Sequence, residues 1–129
     1  MSTQTLIIVL VLLFIHWIAD FLTQNDWLAT NKSKSWVALL CHTALYTITM
    51  GIFMNLFDFF GLFTHKYTYS ILIFVAILFT THTIIDYTSS RITSKLYKKG
   101  NMRTFFDVIG FDQFMHYLTI FLAYKLLYI

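Results

Sequence analysis

Ionisable side chains in the most apolar parts of this chain are the residues that could do chemistry. Three pairs of one histidine and one aspartate are spaced i, i+4, and a fourth histidine stands alone; the set is His16, Asp20, His42, His82, Asp86, Asp112 and His116. A spacing of four places both members of a pair on one face of a helix. Such groups are costly to bury in hydrocarbon, so they usually mark a functional site. Four histidines and three aspartates together predict a metal site.

The composition is that of an integral membrane protein. The 129 residues are 58% hydrophobic, contain no proline and are only 12% charged, with a mean hydropathy of +0.69. A soluble domain carries about twice that share of charged residues. We therefore expect one membrane domain, residues 1–129, with the lipid bilayer as its partner. The net charge of +3 belongs mostly to loops and does not indicate nucleic acid as a partner. A homo-oligomer is left open.

Four apolar segments are long enough to be membrane helices, which need about 20 residues each. The predicted fold is all-α: a polytopic four-transmembrane-helix bundle whose spans are at about residues 5–22, 35–57, 69–88 and 108–128. Between spans three and four, Ile92 and Leu96 lie among basic residues and Gly100 is a stop signal. This pattern predicts a short amphipathic helix on the membrane surface. Thr104 and Asp107 resemble a capping box that opens span four.

The distribution of basic residues predicts the orientation. Seven of the nine lysines and arginines lie in loops one and three, and only Lys66 and Lys125 lie on the opposite side. Cytoplasmic loops carry the excess of Lys and Arg. Loops one and three are therefore predicted to be cytoplasmic and both termini to lie outside the cytoplasm, in a bacterial inner membrane.

The order of the paired residues follows the direction of the helices. In spans one and three, which run toward the cytoplasm, histidine precedes aspartate; in span four, which runs away, Asp112 precedes His116. The aspartates should thus lie nearer the cytoplasm and the histidines one turn deeper. His42 is about seven residues into span two, roughly 10 Å below the same surface. Four helices are therefore expected to bring seven side chains to one depth.

Two metal arrangements fit these residues, and a purely structural role without a metal stays open. All seven could be ligands of a two-metal centre, or three or four could hold one metal while some aspartates orient histidines. Zinc is the favoured divalent metal, with manganese, iron and magnesium as alternatives. A His–Asp pair in a membrane helix can also be a structural hydrogen bond between helices. His65, in the opposite loop, is not part of the set.

Several motifs resemble one known family. The stretch HWIADFLTQ, from His16 to Gln24, the histidine in LLCHTALY, the H-x-x-x-D at His82 and the D-Q-x-x-H at Asp112 are similar to those of the domain of unknown function 3307 family. The resemblance covers nearly the whole chain. It implies a small helical membrane protein of bacteria or phages and brings no established chemistry. The chain is more loosely similar to membrane-bound metal-dependent hydrolases, which also line small helical bundles with His and Asp but share no alignable motif with it.

An open site reachable from the cytoplasm favours catalysis over a structural metal, because structural zinc sites are closed. The metal would lower the pKa of a bound water and polarise a carbonyl or phosphoryl oxygen. Asp20 and Asp112 are the candidate bases for that water. The predicted function is a metal-dependent hydrolase that cleaves an amphiphilic, lipid-linked or phosphorylated substrate at the cytoplasmic face. Side chains near the mouth that could bind that substrate are Gln24, Lys32, Lys34, Arg91 and Gln113.

Two other functions remain open. A small phage-type membrane effector could bind a host protein and use the His/Asp layer only as structure. A metal or proton transporter would need polar groups through the whole depth of the membrane. The stretches at residues 6–13 and 71–77 are continuously apolar, which argues against a transport path.

Overall fold

The chain is helical throughout the residues that the computed structural model describes, 2–62 and 68–128. The all-α prediction is confirmed for those residues, which include no strand. Lys66, used above in the orientation argument, and His65, which was set apart from the predicted ligands, lie outside them. The helices are α1 Thr3–Trp17, continued by a π-helical turn at Ile18–Leu22, then α2 Asp26–Asn31, α3 Trp36–Phe59, α4 Thr68–Lys98 and α5 Met102–Tyr128.

Short polar side chains open the helices. Asn25 Oδ1 accepts a hydrogen bond from the Leu28 amide at 2.9 Å, and Ser35 Oγ accepts one from the Ala38 amide at 3.3 Å. These bonds satisfy amides that the helix leaves without a partner in its first turn. After α4, Gly100 adopts a φ of +69°, a left-handed conformation that ends a helix at low cost for glycine. The predicted stop signal at Gly100 is therefore confirmed.

The segment between spans three and four differs from the prediction. No separate amphipathic helix exists there, because α4 continues without interruption for 31 residues to Lys98; the prediction of a distinct short helix is wrong. Neither proline nor glycine occurs between Thr88 and Lys98 to break it. The helix α5 begins at Met102, and its first turn is capped by Asn101, which accepts from the Thr104 amide at 3.3 Å. Thr104 is therefore inside the helix instead of capping it.

The four long helices form a closed ring. Helix α1 contacts α3 and α5, and α4 contacts the same two helices. Three helical segments are long and apolar enough to cross a membrane, namely Thr3–Leu22, Trp36–Phe59 and Tyr69–Lys98. Helix α5 is not among them; it is 27 residues long and carries Arg103, Asp107, Asp112 and Lys125.

The outer surface of the ring is apolar. On α1, the side chains of Ile7, Leu10 and Phe14 are 56%, 56% and 58% exposed, on one stripe of the helix. Monomeric soluble proteins rarely expose apolar patches of this extent. Together with the three long apolar helices, this surface indicates association with a membrane.

The interior of the ring has an apolar part and a polar part. The apolar part is fully buried and includes Leu12, Met50, Phe74, Leu78 and Ile120. On α1 and α4 the next buried positions toward the C-terminus are polar, and on α3 and α5 the polar positions precede the apolar ones. Because the helices alternate in direction, the buried histidines and aspartates all lie at one end of the ring, whereas the buried Ser70, near the start of α4, lies toward the other end.

Candidate metal centre

The π-helical turn at Ile18–Leu22 sets the position of Asp20. Its wider winding is seen in the bond from the Thr23 amide to the Ile18 carbonyl at 3.2 Å, five residues back. Such turns are frequent at functional sites because they redirect one side chain without ending the helix. Asp20 is only 3% exposed and its carboxylate reaches His42 on α3.

Four side chains from three helical segments place their ligand atoms together. Oxygen atoms of Asp20 and Asp86 and nitrogen atoms of His42 and His82 all lie within 4.8 Å of one another, and all four residues are buried. His42 Nε2 is 3.1 Å from Asp20 Oδ1, 3.1 Å from Asp86 Oδ2 and 3.1 Å from His82 Nε2. His82 Nε2 is 3.6 Å from Asp20 Oδ1 and 3.7 Å from Asp86 Oδ2. We call these four residues the inner group.

The distances in the inner group suit a shared cation better than hydrogen bonds. One ring nitrogen either donates one proton or accepts with one lone pair, but His42 Nε2 faces three acceptors or donors at 3.1 Å. Ligands bound at 2.0–2.1 Å in a tetrahedron lie about 3.3 Å apart. The five distances just given for the inner group, 3.1 to 3.7 Å, bracket that value. The residues present therefore fit a four-coordinate metal.

Asp86 also belongs to a second group. Its other oxygen, Oδ1, is 3.1 Å from His116 Nε2, which lies 3.6 Å from Asp112 Oδ2. Ligand atoms of Asp86, Asp112 and His116 again lie within 4.8 Å of one another. Asp86 therefore joins two groups through its two oxygens, as a bridging carboxylate does in a two-metal site. The geometry is compatible with one metal held by four residues, and with two metals held by six residues instead of the seven that the sequence suggested.

His16 lies beside the two groups and belongs to neither. Its Nε2 is 3.1 Å from Gln113 Oε1, its Nδ1 is 3.1 Å from the Tyr46 hydroxyl, and Asp20 Oδ2 is 3.9 Å away. Since a tyrosine hydroxyl and an amide oxygen use both ring nitrogens, His16 is placed to orient its neighbours. Six of the seven predicted ligands thus lie in the two groups, and His16 packs against them.

Gln113 links the aspartates. Its Nε2 donates to Asp20 Oδ2 at 3.0 Å and to Asp112 Oδ2 at 3.0 Å, while its Oε1 faces His16. One amide thereby holds two carboxylates and one imidazole in fixed orientations. Partners of this kind commonly orient metal ligands. The sequence predicted a substrate role for Gln113; its contacts point to a positioning role.

Lys32 reaches the inner group from the first loop, which follows α2. Its Nζ donates to Asp86 Oδ2 at 2.8 Å and lies 3.4 Å from His42 Nε2, and its side chain is 19% exposed. Burial opposes the charge of this ammonium, but the carboxylates of Asp86 and Asp20 outweigh that effect and raise the pKa of Lys32. Lys32 therefore supplies positive charge next to two buried carboxylates.

A cleft of about 620 Å³ opens beside the cluster. It is bounded by the π-helical turn, the first loop, the second half of α4 and the first half of α5. Gln24, Lys34 and Gln113, which the sequence suggested as substrate contacts, line it together with Asp20 and Asp112. The cleft thus reaches the edge of the candidate metal centre.

Arg91, the remaining suggested substrate contact, does not line the cleft. Its guanidinium carbon is 3.6 Å from the centre of the Tyr87 ring and 5.7 Å from that of Trp36. Such cation–π contacts anchor an arginine on aromatic faces. The structure therefore gives Arg91 an anchoring contact in place of the predicted one.

Comparison with known families gives one match. The profile of the family described as "Protein of unknown function (DUF3307)" matches residues 8–129. The chain belongs to the DUF3307 family. The resemblance drawn from its His/Asp motifs is therefore confirmed, and all the residues of the two groups lie in the matched region. No curated protein and no solved structure matches the chain.

Two residues of the site were not singled out for their actual role. Tyr46, 1% exposed, follows His42 at i+4 and could have been found by the spacing used for the other pairs. Lys32 carried no distinguishing signal, because a lysine in a basic loop is usually a topology determinant.

Proposed function

We propose that this chain is a membrane-embedded, metal-dependent hydrolase that acts on an amphiphilic substrate at the cytoplasmic face of a bacterial inner membrane. The observation that carries the proposal is the inner group. Four buried ligand atoms lie as far apart as the ligands of one metal ion do, beside a cleft of about 620 Å³ that is lined by both polar and apolar side chains. Two carboxylates and two imidazoles favour zinc, and manganese, iron and magnesium are alternatives.

The residues of the site would have three roles: binding the metal, accepting a proton and positioning the carboxylates. Asp20, His42, His82 and Asp86 would hold the metal, and His116 with Asp112 would hold a second ion or orient Asp86. A bound divalent metal supplies an activated water and polarises the bond to be cleaved. Asp112 would accept the proton: its side chain is 13% exposed, borders the cleft, and its Oδ1 makes no hydrogen bond within the described residues. Gln113 holds the Oδ2 atoms of Asp20 and Asp112 in place.

The apolar half of the ring favours this function over transport. Leu12, Met50, Phe74 and Ile120 are at most 1% exposed and fill the interior beyond the polar end. A transporter needs polar groups or water along the whole path. In the described interior the ionisable groups lie at one end, and the other end offers the lone hydroxyl of Ser70 beside an apolar core, which suits an enzyme acting at one membrane face.

The proposal includes a four-span topology in which α5 is the fourth span. We expect both termini to lie outside the cytoplasm, because the basic residues of loops one and three mark the cytoplasmic side. A fluorescent reporter that matures only in the cytoplasm, fused after Ile129, should stay dark, while an alkaline phosphatase fusion at the same site should be active. A bright cytoplasmic reporter would contradict the topology and move the polar end to the outer face.

Metal content tests the function most directly. Protein purified in detergent should carry at least one transition metal per chain. His82→Ala should lose most of that metal, because it removes an inner-group ligand, and His116→Ala should lose metal only if the second group is filled. His65→Ala is the matched control, because His65 is the histidine that is not among the seven predicted ligands. Mass spectrometry of the metal provides the measurement, and full occupancy in His82→Ala would contradict the proposal.

A further inference from the structure

The cleft beside the metal centre is lined by two lysines that form no ion pair with a carboxylate of the described residues. Lys34 and Lys98 both line it, from the first loop and from the end of α4. Within the described residues, Lys32 is the lysine that forms an ion pair, with Asp86. The ammonium groups of Lys34 and Lys98 therefore have no carboxylate partner there. Two unpaired ammonium groups in one cleft favour an anionic ligand.

The same cleft contains buried polar atoms without partners. Ser90 is 9% exposed, and its hydroxyl lacks a hydrogen bond within the described residues; the same is true of Gln24 Oε1 and Asp112 Oδ1. All three residues line the cleft. Buried polar groups are almost always hydrogen-bonded, so unpartnered ones need an explanation such as a ligand. Gln24 Oε1 and ionised Asp112 are acceptors, so the ligand should also bring hydrogen-bond donors.

Part of the cleft wall is apolar. Phe21, Phe105 and Ile109 line it, and Phe21 is 41% exposed on the outer side of the π-helical turn. A ligand that touches both walls must be amphiphilic, with a polar part toward α4 and an apolar part toward Phe21.

We propose that this cleft binds the phosphate headgroup of an amphiphile that carries hydroxyl groups, such as a phosphoglycerol headgroup. Lys34 and Lys98 bind the phosphoryl oxygens, the Ser90 hydroxyl donates to one of them, and Gln24 and Asp112 accept from the headgroup hydroxyls. This inference rests on the proposed function, because it names the substrate class of the proposed hydrolase. The binding itself can be measured without any hydrolysis.

Native mass spectrometry of the full chain, released from detergent containing equal amounts of phosphatidylglycerol and phosphatidylcholine, tests the proposal. We expect preferential retention of phosphatidylglycerol. Each lysine near an anionic headgroup contributes about a fivefold effect, so the Lys34→Gln/Lys98→Gln double variant should weaken retention by roughly twenty-five-fold. The Lys95→Gln/Lys99→Gln variant removes the same amount of charge near the end of α4, outside the cleft, and should change retention little. Ser90→Ala, which leaves the charge unchanged, should also lower it.

A second arm identifies the source of the phosphate. Calorimetric titration with glycerol 3-phosphate should show a site that the Lys34→Gln/Lys98→Gln variant lacks if a soluble ester suffices; binding of the lipid alone assigns the site to a membrane amphiphile. Equal losses in the two double variants would mean general attraction to charge and would overturn the proposal, as would absence of binding by both probes. If the chain binds the headgroup but does not hydrolyse it, the binding site is supported and the proposed hydrolase function is contradicted. If hydrolysis occurs and does not depend on Lys34 and Lys98, the hydrolase function is supported and the binding site is contradicted.

Discussion

Replacing Asp112 by asparagine is expected to abolish hydrolysis while leaving the fold intact. Asparagine keeps an oxygen that can accept the hydrogen bond from Gln113 Nε2, now 3.0 Å from Asp112 Oδ2, but it cannot take a proton. General acid–base groups typically contribute 10²–10⁴-fold to rates, so we expect a loss of about that size. Release of soluble headgroup from labelled phospholipid vesicles measures it, beside the thermal unfolding of both proteins.

Asp107→Asn is the matched control, because Asp107 is exposed on the same helix and does not line the cleft. If Asp112 only ties helices together, asparagine should serve nearly as well, since interhelical hydrogen bonds in membranes average about 0.6 kcal/mol. Activity of Asp112→Asn within a few-fold of the unmodified protein would therefore rule out its role as a base.

Replacing Lys32 by methionine is expected to destabilise the metal-free protein and to strengthen metal binding. Without the ammonium 2.8 Å from Asp86 Oδ2, two buried carboxylates lose their nearest cation. Breaking a fully buried pair costs 3–5 kcal/mol; with Lys32 partly exposed, we expect on the order of 2 kcal/mol. A divalent metal supplies the missing charge, so the metal-loaded variant should unfold almost as the unmodified protein does.

Thermodynamic linkage between folding and metal binding gives the expected increase in metal affinity. A loss of about 2 kcal/mol confined to the metal-free state raises the affinity for metal roughly thirtyfold. Thermal unfolding in the presence of a chelator and after reloading with zinc measures the loss of stability. Competition with a chromogenic chelator measures the gain in metal affinity. Lys95→Met, on the exposed end of α4, is the control. Equal destabilisation of the two states would show that Lys32 contributes through packing instead of charge.

The helical fold and the common depth of the polar residues could be predicted because both depend on periodicity alone. Apolar runs define the helices, and the reversed order of Asp112 and His116 compensates for the direction of α5. The extent of α4 could not be read in the same way. The residues after Thr88 are polar and basic, which resembles an interfacial helix, but a helix continues wherever nothing interrupts its backbone bonds.

The details of the site depend on tertiary geometry, which spacing does not contain. Lys32 reaches Asp86 because the first loop folds through α2 back over the ring, a path that no local pattern in the sequence indicates. His16 is separated from the two groups because Gln113 and Tyr46 occupy its ring nitrogens. The roles of the seven residues as metal ligands, and the count of four spans, stay predictions.

The clustering of the His/Asp contacts at one end of the ring has a mechanical consequence. Bonds from Gln113, Asp86 and Lys32 cross-link α1, α4, α5 and the first loop there. The core of the far half is apolar, and a hydrogen bond from Gln4 Nε2 to the Leu62 carbonyl, at 3.1 Å, joins α1 to the end of α3 there. Apolar helices gain no hydrophobic drive to associate within lipid, so we expect the far half to be the more compliant end of the bundle. In the proposed transmembrane arrangement, changes in bilayer thickness, which tilt and splay helices at modest cost, should be absorbed at that end and leave the spacing of the inner group unchanged.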